Sequence, residues 1–549
     1  MSPLQTTVSE ARKRMHQEPG LDRPRGLSVG IAGQLHDLEL TTIQEDDVSD
    51  CDATLLRLPH YLISGSGLDH YNSERDIILF KRESCELEAK FIMEKVIGMR
   101  REGLIYGQGG TGKSSMVFFV SCSLRRHWNI IWVHTEPKIS EAWVLIIQGG
   151  QVAKFSIRVV DMNFRSLPYH AQGGQCLVIV DCQDMADPHA LELYSRAGDW
   201  VEQDYRNRLL LRVCSDEHLG SLPSQLLDKL AIHGVGSWSL EEYLTAIEDD
   251  EFWESVSGNL FDQDHSPTRD ERKKIVESKF FYAGTCARFM FHYSVEAIKK
   301  TVFVALHSLG LDSKDPGSLI HALSKRYLVS QSLTGEFRIP SYSGFVSRYA
   351  TIQIGLAVGT EMLQDLARYR QGYFNHDVRS WMFEALFLSR ATDNRGVKLY
   401  SELEVRSGVV WRAHSEHWPL FVKFSPTRFD EKPDRLPYNI WLLPETPMQA
   451  GCDAVMLFWC SKAIRFVLTT IDTRCELNMA PLADLVTRMR NAGYTIQSAE
   501  ICFIIPEDHY PTVLQIDPVE DLERFTSLFT VSGSDNLAVP RIETFLLPS

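Results

Sequence analysis

The sequence predicts an α/β protein with a nucleotide core of the P-loop type. The core rests on a parallel, doubly wound sheet, with a helical lid behind it and a separate α/β domain after that. Three observations carry this expectation. Apolar strands alternate with helices across the first half of the chain. Residues 107–114 read GQGGTGKS between a strand and a helix. Strand patterns then return after a long helical stretch. The expected segments are a variable region over 1–75, the P-loop core over 76–235, the lid over 236–345 and the last α/β domain over 346–549.

The elements follow in order. Residues 1–50 are polar, include Glu45-Asp46-Asp47, and are expected to be mobile. From Glu86 to Met99, Leu87, Phe91, Ile92, Val96 and Ile97 fall at helical spacing. Leu104-Ile105-Tyr106 is a short strand entering the glycine loop, and Ser115 to Leu124 an apolar helix leaving it. Buried strands follow at Asn129–Val133, at Cys176–Val180 ending on Asp181, and at Leu209–Val213 ending at Ser215. Gly149-Gly150, flanked by Trp143–Ile147 and Phe155–Val160, reads as a hairpin or insert. Residues 238–330 are helical, with Leu240, Tyr243, Leu244 and Ile247 on one face and an apolar helix over Ala297–Leu309. Later come a helix over Trp381–Leu388, strands at Val409–Trp411, Ala454–Phe458 and Ile464–Thr470, a helix over Leu482–Ala492 and a strand at Ile501–Ile505.

Composition narrows the classes. The chain has 549 residues, 44% apolar and 23% charged, which is the balance of a soluble protein of several domains. Its net charge of -15 lacks the basic excess of a protein coated for nucleic acid, although a local basic groove remains open. The 11 cysteines form no CxxC pair and no zinc spacing, so they read as buried thiols in a reducing compartment. The first 20 residues lack a signal-peptide pattern, and no run of about 18 apolar residues predicts a transmembrane helix.

The chemistry concentrates in the loop. Gly107, Gly109, Gly110 and Gly112 allow a tight turn whose N–H groups, with those of Thr111 and Ser115, point at phosphate oxygens. Lys113 would reach the β- and γ-phosphates, and the Ser114 hydroxyl would ligate Mg²⁺. Asp181, closing an apolar strand, is the expected second Mg²⁺ partner. In parallel sheets ligands gather at strand C-terminal ends, where the loop, Asp181 and Ser215 all fall. Ser215 reads equally as a γ-phosphate sensor or a plain strand cap. Many ATPases carry Glu directly after the strand-end Asp, whereas this run is Asp181-Cys182-Gln183-Asp184. Gln183 or Asp184 would have to orient the water, so binding is better supported than turnover. The nucleotide is ATP or GTP, and the sequence does not separate them. Arg288, within Gly284-Thr285-Cys286-Ala287-Arg288, reads on spacing alone as a surface arginine of an amphipathic helix.

Several stretches together resemble the Crinkler effectors of oomycetes and some other eukaryotes, of the Crinkler–RHS type. They are the phosphate loop, Trp238-Ser239-Leu240-Glu241-Glu242, FYAGTCARFMF over Phe281–Phe291, Trp381-Met382-Phe383-Glu384 and Gly451-Cys452-Asp453-Ala454-Val455. The resemblance covers roughly residues 75–510. It implies a P-loop NTPase of the AAA/STAND type joined to a restriction-endonuclease-like domain, with Arg288 as the lid arginine. It also implies a secreted virulence protein acting in a host cell, often its nucleus, on DNA or host proteins. In such a nuclease, clustered carboxylates hold Mg²⁺ to activate water. Glu384 and Asp453, the latter as metal ligand, match the first carboxylates, with Thr470 as the later polar residue. Leu468 stands where Glu or Gln is expected, and leucine cannot bind a metal. The family's translocation segment is not visible, and Leu55-Leu56-Arg57-Leu58 is a poor substitute.

Two functions compete: a nucleotide-regulated effector acting on DNA, and a STAND-like switch working through protein contacts with a dead nuclease fold. A small-substrate P-loop kinase is a third, disfavoured by the long lid and the extra C-terminal domain.

Overall fold

The structure is a computed structural model. It describes residues 41–43, 54–64, 66–68, 76–136, 139–165, 167, 174–182, 187–215, 230–260, 267–309, 315–324, 328–334, 339–369, 376–392, 397–401, 414–416, 421–424, 440–444, 451–458, 462–472, 474–475, 477–491, 493–506, 515–516, 522–529 and 541–547. Apart from residues 41–43, the expectation over 1–50 lies outside them, as do the strand expected at Val409–Trp411 and both Gln183 and Asp184. Contacts divide the chain into two compact units, one of residues 1–235 with 335–339, the other of 236–334 with 340–549. The helical region and the C-terminal α/β region thus belong to one unit. Among the described residues no helix is long and apolar enough to cross a membrane.

The first unit holds an eight-stranded sheet. In chain order its strands and a neighbouring hairpin are β1 (Thr41–Thr42), β2 (Leu55–Leu58), β3 (Ile77–Phe80), β4 (Gly103–Gly107), β5 (Asn129–Thr135), β6 (Glu141–Gln148), β7 (Gln151–Arg158), β8 (Cys176–Cys182), β9 (Arg208–Ser215) and β10 (Ala231–Val235). The sheet order is β1-β7-β6-β5-β8-β9-β4-β10, and β2 pairs with β3 apart from it. The five strands from β5 to β10 in that order run parallel. The parallel sheet gains antiparallel strands at the other edge, where the expected hairpin joins it as β6 and β7, with β1 beyond. Gly149 and Gly150 give the reason for the β6–β7 pair. Both have positive φ, 57° and 79°, which closes a two-residue hairpin turn and forces its strands to oppose. Leu55–Leu58 forms strand β2, with Leu56 and Leu58 buried in the core.

The parallel strands are largely apolar because both faces are covered, with polar residues mainly toward their C-terminal ends. Trp132, Leu177, Ile179 and Leu211 join one core; Leu104, Tyr106, Val178, Val180 and Leu210 join the other. Helix α1 (Glu83–Phe91) continues into a π-helical stretch at Ile92–Gly98, and helix α2 (Lys113–Ser123) packs Met116, Val117, Phe118 and Phe119 into the first core. Helix α3 (Pro188–Glu202) starts at Asp187, whose side chain accepts from the His189 N–H, with Pro188 in the first turn.

The second unit begins with short helices: α4 (Leu240–Ala246), α5 (Asp250–Leu260), α6 (Arg269–Ala283), α7 (Ala287–His292), α8 (Val295–Ser308) and α9 (Pro316–Ser324). Ser239 and Glu242 form a capping box at the start of α4, which explains the run Trp238–Glu242 physically. Two longer helices follow, α10 (Arg348–Tyr369), kinked at Gly359, and α11 (His376–Thr392). The region over Arg348–Tyr369 carried no clear sequence pattern. A mixed eight-stranded sheet completes the unit. It includes β11 (Ala454–Phe458), β12 (Ala463–Thr469), β13 (Ser498–Pro506) and β14 (Arg541–Leu547). β11 and β12 are antiparallel, whereas β12, β13 and β14 run parallel. Helix α12 (Ala480–Asn491) supplies Leu482, Leu485, Val486 and Met489 to its core.

Candidate functional site: a phosphate-binding loop

The loop leaves β4 at Gly107, where a Cβ would overlap the Val235 carbonyl of neighbouring β10. Only glycine permits that approach. Gly110 and Gly112 take φ of 82° and 100°, the left-handed region. Helix α2 then starts, and the Met116 N–H donates to the Gly112 carbonyl at 3.0 Å. This strand–glycine turn–helix unit has the geometry that a phosphate-binding loop requires.

Lys113 is buried, and its ammonium is held at the loop. Nζ donates to the Gly107 carbonyl at 2.8 Å and to the Gln108 carbonyl at 2.6 Å, and lies 3.5 Å from Thr111 Oγ1. Thr111 Oγ1 in turn donates to the Gln108 carbonyl at 3.1 Å. The cation therefore stands where loop N–H groups and a helix N-terminus already favour an anion.

The metal expectation is tested by the donors. Ser114 Oγ donates to Asp181 Oδ1 at 2.9 Å, which joins the loop to β8. A hydroxyl and a carboxylate are hard oxygen donors of the kind Mg²⁺ takes. Among the described residues no group of three or more His, Cys, Asp or Glu is placed to hold a metal. Mg²⁺ is commonly held by one or two protein oxygens with substrate phosphates and water. Sequence reasoning missed a further group, His134, whose Nδ1 lies 2.7 Å from Asp181 Oδ2. Ser215 ends β9 in register beside Gly107. Ser115 follows Ser114 within α2.

Glu88 on α1 is 1% exposed. Burial pushes its carboxyl up from 4.5 to about 8, against the pull of Arg82 and of Lys113. The native state therefore keeps a proton that the unfolded chain releases above about pH 4.5. Stability is expected to fall as pH rises from about 5 to about 8, and Glu88→Gln should remove that part of the slope. Thermal unfolding of the two proteins across that range checks it; parallel curves would refute it.

Arg288 lies in the first turn of α7 in the second unit. The turn before it holds Gly284, φ 52°, and Thr285, whose N–H donates to the Val346 carbonyl at 2.9 Å. Trp238 stacks on Tyr243 at 4.9 Å and meets Phe291 edge-on at 5.7 Å. The two sequence phrases carrying the resemblance in this region therefore form one aromatic core.

Glu384 and Asp453 do come together, but around an arginine. Arg348 Nε donates to Glu384 Oε2 and its terminal nitrogen to Asp453 Oδ1, both at 2.5 Å. Asp453 Oδ2 accepts from the Thr469 N–H at 2.6 Å and from Thr469 Oγ1 at 2.8 Å. Burial opposes the charge on Arg348, yet Glu384 and Asp453 hold its guanidinium above the ordinary arginine range. Thr470 is not the residue that meets Asp453. Side chains alternate along a strand, so Thr469 points the other way from Leu468. Leu468 packs against the core, and Thr470 Oγ1 accepts from the Asp472 N–H at 3.0 Å. The Arg348 cation thus stands between the two carboxylates, where a metal ion would have to sit, a poor fit to a metal centre.

The chain is similar to several solved structures. A variant of RuvB from Thermotoga maritima is 14% identical with a TM-score of 0.25, over 56% of this chain and 87% of that one. AMPPCP-bound DnaA of Aquifex aeolicus is 10% identical with a TM-score of 0.23, over 53% and 84%. The FIGL-1 AAA domain is 13% identical with a TM-score of 0.25, over 65% and 99%. Similarity this low leaves the loop to be judged on its own geometry. No family model matches the chain, and no curated protein matches it.

Proposed function

We propose that the first unit binds a nucleoside triphosphate, ATP or GTP, together with Mg²⁺, and that the chain is a nucleotide-controlled switch. The observation that carries this reading is the buried Lys113 held at the mouth of the glycine loop, beside Ser114 and Asp181. Lys113 would neutralise the β- and γ-phosphates, and the loop N–H groups would orient them. Mg²⁺ would supply charge neutralisation between those phosphates, with Ser114 and Asp181 holding it. Cys182 follows Asp181 where a water-polarising Glu is common, so binding is the primary activity and hydrolysis the slower one. Calorimetric titration of the full chain with ATP and with GTP in Mg²⁺, followed by a phosphate-release assay, tests this. No heat of binding for either nucleotide sinks it.

For the output, the second unit supports a switch without nuclease activity over a DNA-cutting effector. The arginine between Glu384 and Asp453 favours that choice. The Crinkler resemblance, with its host-cell setting, remains the frame for both readings. We expect no digestion of duplex or single-stranded DNA in Mg²⁺ or Mn²⁺. Digestion lost in Asp453→Ala would reverse the choice.

A further inference from the structure

We propose that His134 is a positioning residue that fixes the carboxylate of Asp181 for the metal–phosphate group. This rests on the nucleotide and Mg²⁺ reading above. The argument starts from the sheet. β5 and β8 are parallel neighbours, and His134 pairs in register with Asp181. Alternation places His134 on the face of Ile130 and Trp132, and Asp181 on the face of Leu177 and Ile179. Those four residues share one core, the one helix α2 covers. The strand ends, the helix and the loop therefore bring His134, Asp181 and Ser114 to one point.

There the carboxylate is held on both sides. Ser114 Oγ donates to Oδ1 at 2.9 Å, and His134 Nδ1 to Oδ2 at 2.7 Å. Both His134 and Asp181 are buried. The imidazole is itself confined. The Trp143 ring lies 6.0 Å away, and Gly67, φ 83°, stands so close that a Cβ there would overlap the imidazole. That turn is anchored, since Trp132 Nε1 donates to the Ser66 carbonyl at 2.9 Å and the Leu68 N–H to Ser66 Oγ at 3.2 Å. A ring with no room to turn fixes the carboxylate that it bonds. Such outer partners set ligand orientation, and their loss typically costs about 10–100-fold in metal affinity.

The test is the gain in ATP affinity that Mg²⁺ confers, measured by calorimetry on the full chain with and without the metal. His134→Leu should cut that gain about tenfold or more, while metal-free ATP affinity stays within about twofold. His134→Asn should keep most of the gain, because its amide N–H₂ falls near Nδ1. His134→Gln, whose amide falls near the other ring nitrogen, should not. Gly67→Ala, which pushes on the ring without touching the carboxylate, should behave like His134→Leu. If His134→Leu fails to fold, the Asn and Gln variants decide, and equal gains in the two overturn the proposal. A full gain in a folded His134→Leu also overturns it. Absence of ATP binding by the unaltered chain sinks the nucleotide reading instead.

Discussion

Lys113→Ala is expected to weaken nucleoside triphosphate binding by about 100-fold, from loss of charge-assisted hydrogen bonds worth about 2–3 kcal/mol. Lys113 Nζ is buried and already held by the Gly107 and Gln108 carbonyls, so its position owes little to side-chain flexibility. Preorganisation of this kind concentrates affinity in one residue. The backbone turn does not depend on the ammonium. Gly107, Gly110 and Gly112 keep their dihedrals through close approach and positive φ. The variant should therefore fold, with a melting curve near that of the unaltered chain in the absence of nucleotide. Calorimetry measures the affinity, and circular dichroism the fold. Unchanged affinity in a folded variant would falsify the assignment of the loop.

What could be read from the sequence was local. GQGGTGKS is contiguous, and its glycines carry the conformational demand themselves, so the strand–loop–helix unit was legible. So was the Gly149-Gly150 turn, although not that its hairpin extends the main sheet and makes it mixed. Ala231–Val235, with Gly and His inside five residues, carried too little pattern to be read as the edge strand it forms. The His134–Asp181 pair spans 47 residues and exists only through strand register. One signal for it was present: a polar residue closing the apolar run Ile130–Val133 as Asp181 closes its own. The second unit was harder still. Arg348 reaches across 36 residues to Glu384 and 105 to Asp453, and no spacing rule reports such distances. At the strand end expected to carry the later polar residue, Thr470 accepts from the Asp472 N–H, while Thr469, one residue away and on the opposite face, meets Asp453.

Replacing Arg348 should produce a large loss of stability in the second unit. Arg348→Met leaves Glu384, 2% exposed, and Asp453 facing each other without a cation. Removing one member of a buried ion cluster costs about 3–5 kcal/mol when the remaining charges stay desolvated. Burial already pushes the Glu384 carboxyl up to about 7 against the pull of Arg348, so the loss should be largest well above that pH, where Glu384 is ionised. The cluster ties together α10, α11 and the edge between β11 and β12, so the loss should appear as a lower unfolding temperature of that unit. Adding Glu384→Gln and Asp453→Asn to Arg348→Met should recover most of it, since neutral partners remove the repulsion. The same set separates an ion cluster from a metal site. If the two carboxylates serve to bind a divalent cation, Mn²⁺ will raise the melting temperature of the unaltered chain and rescue Arg348→Met. If they serve Arg348, Mn²⁺ will leave the unaltered chain unchanged, and the triple variant will melt above the single one. The second outcome is expected, because the Arg348 guanidinium already bridges Glu384 and Asp453 where a divalent cation would have to stand.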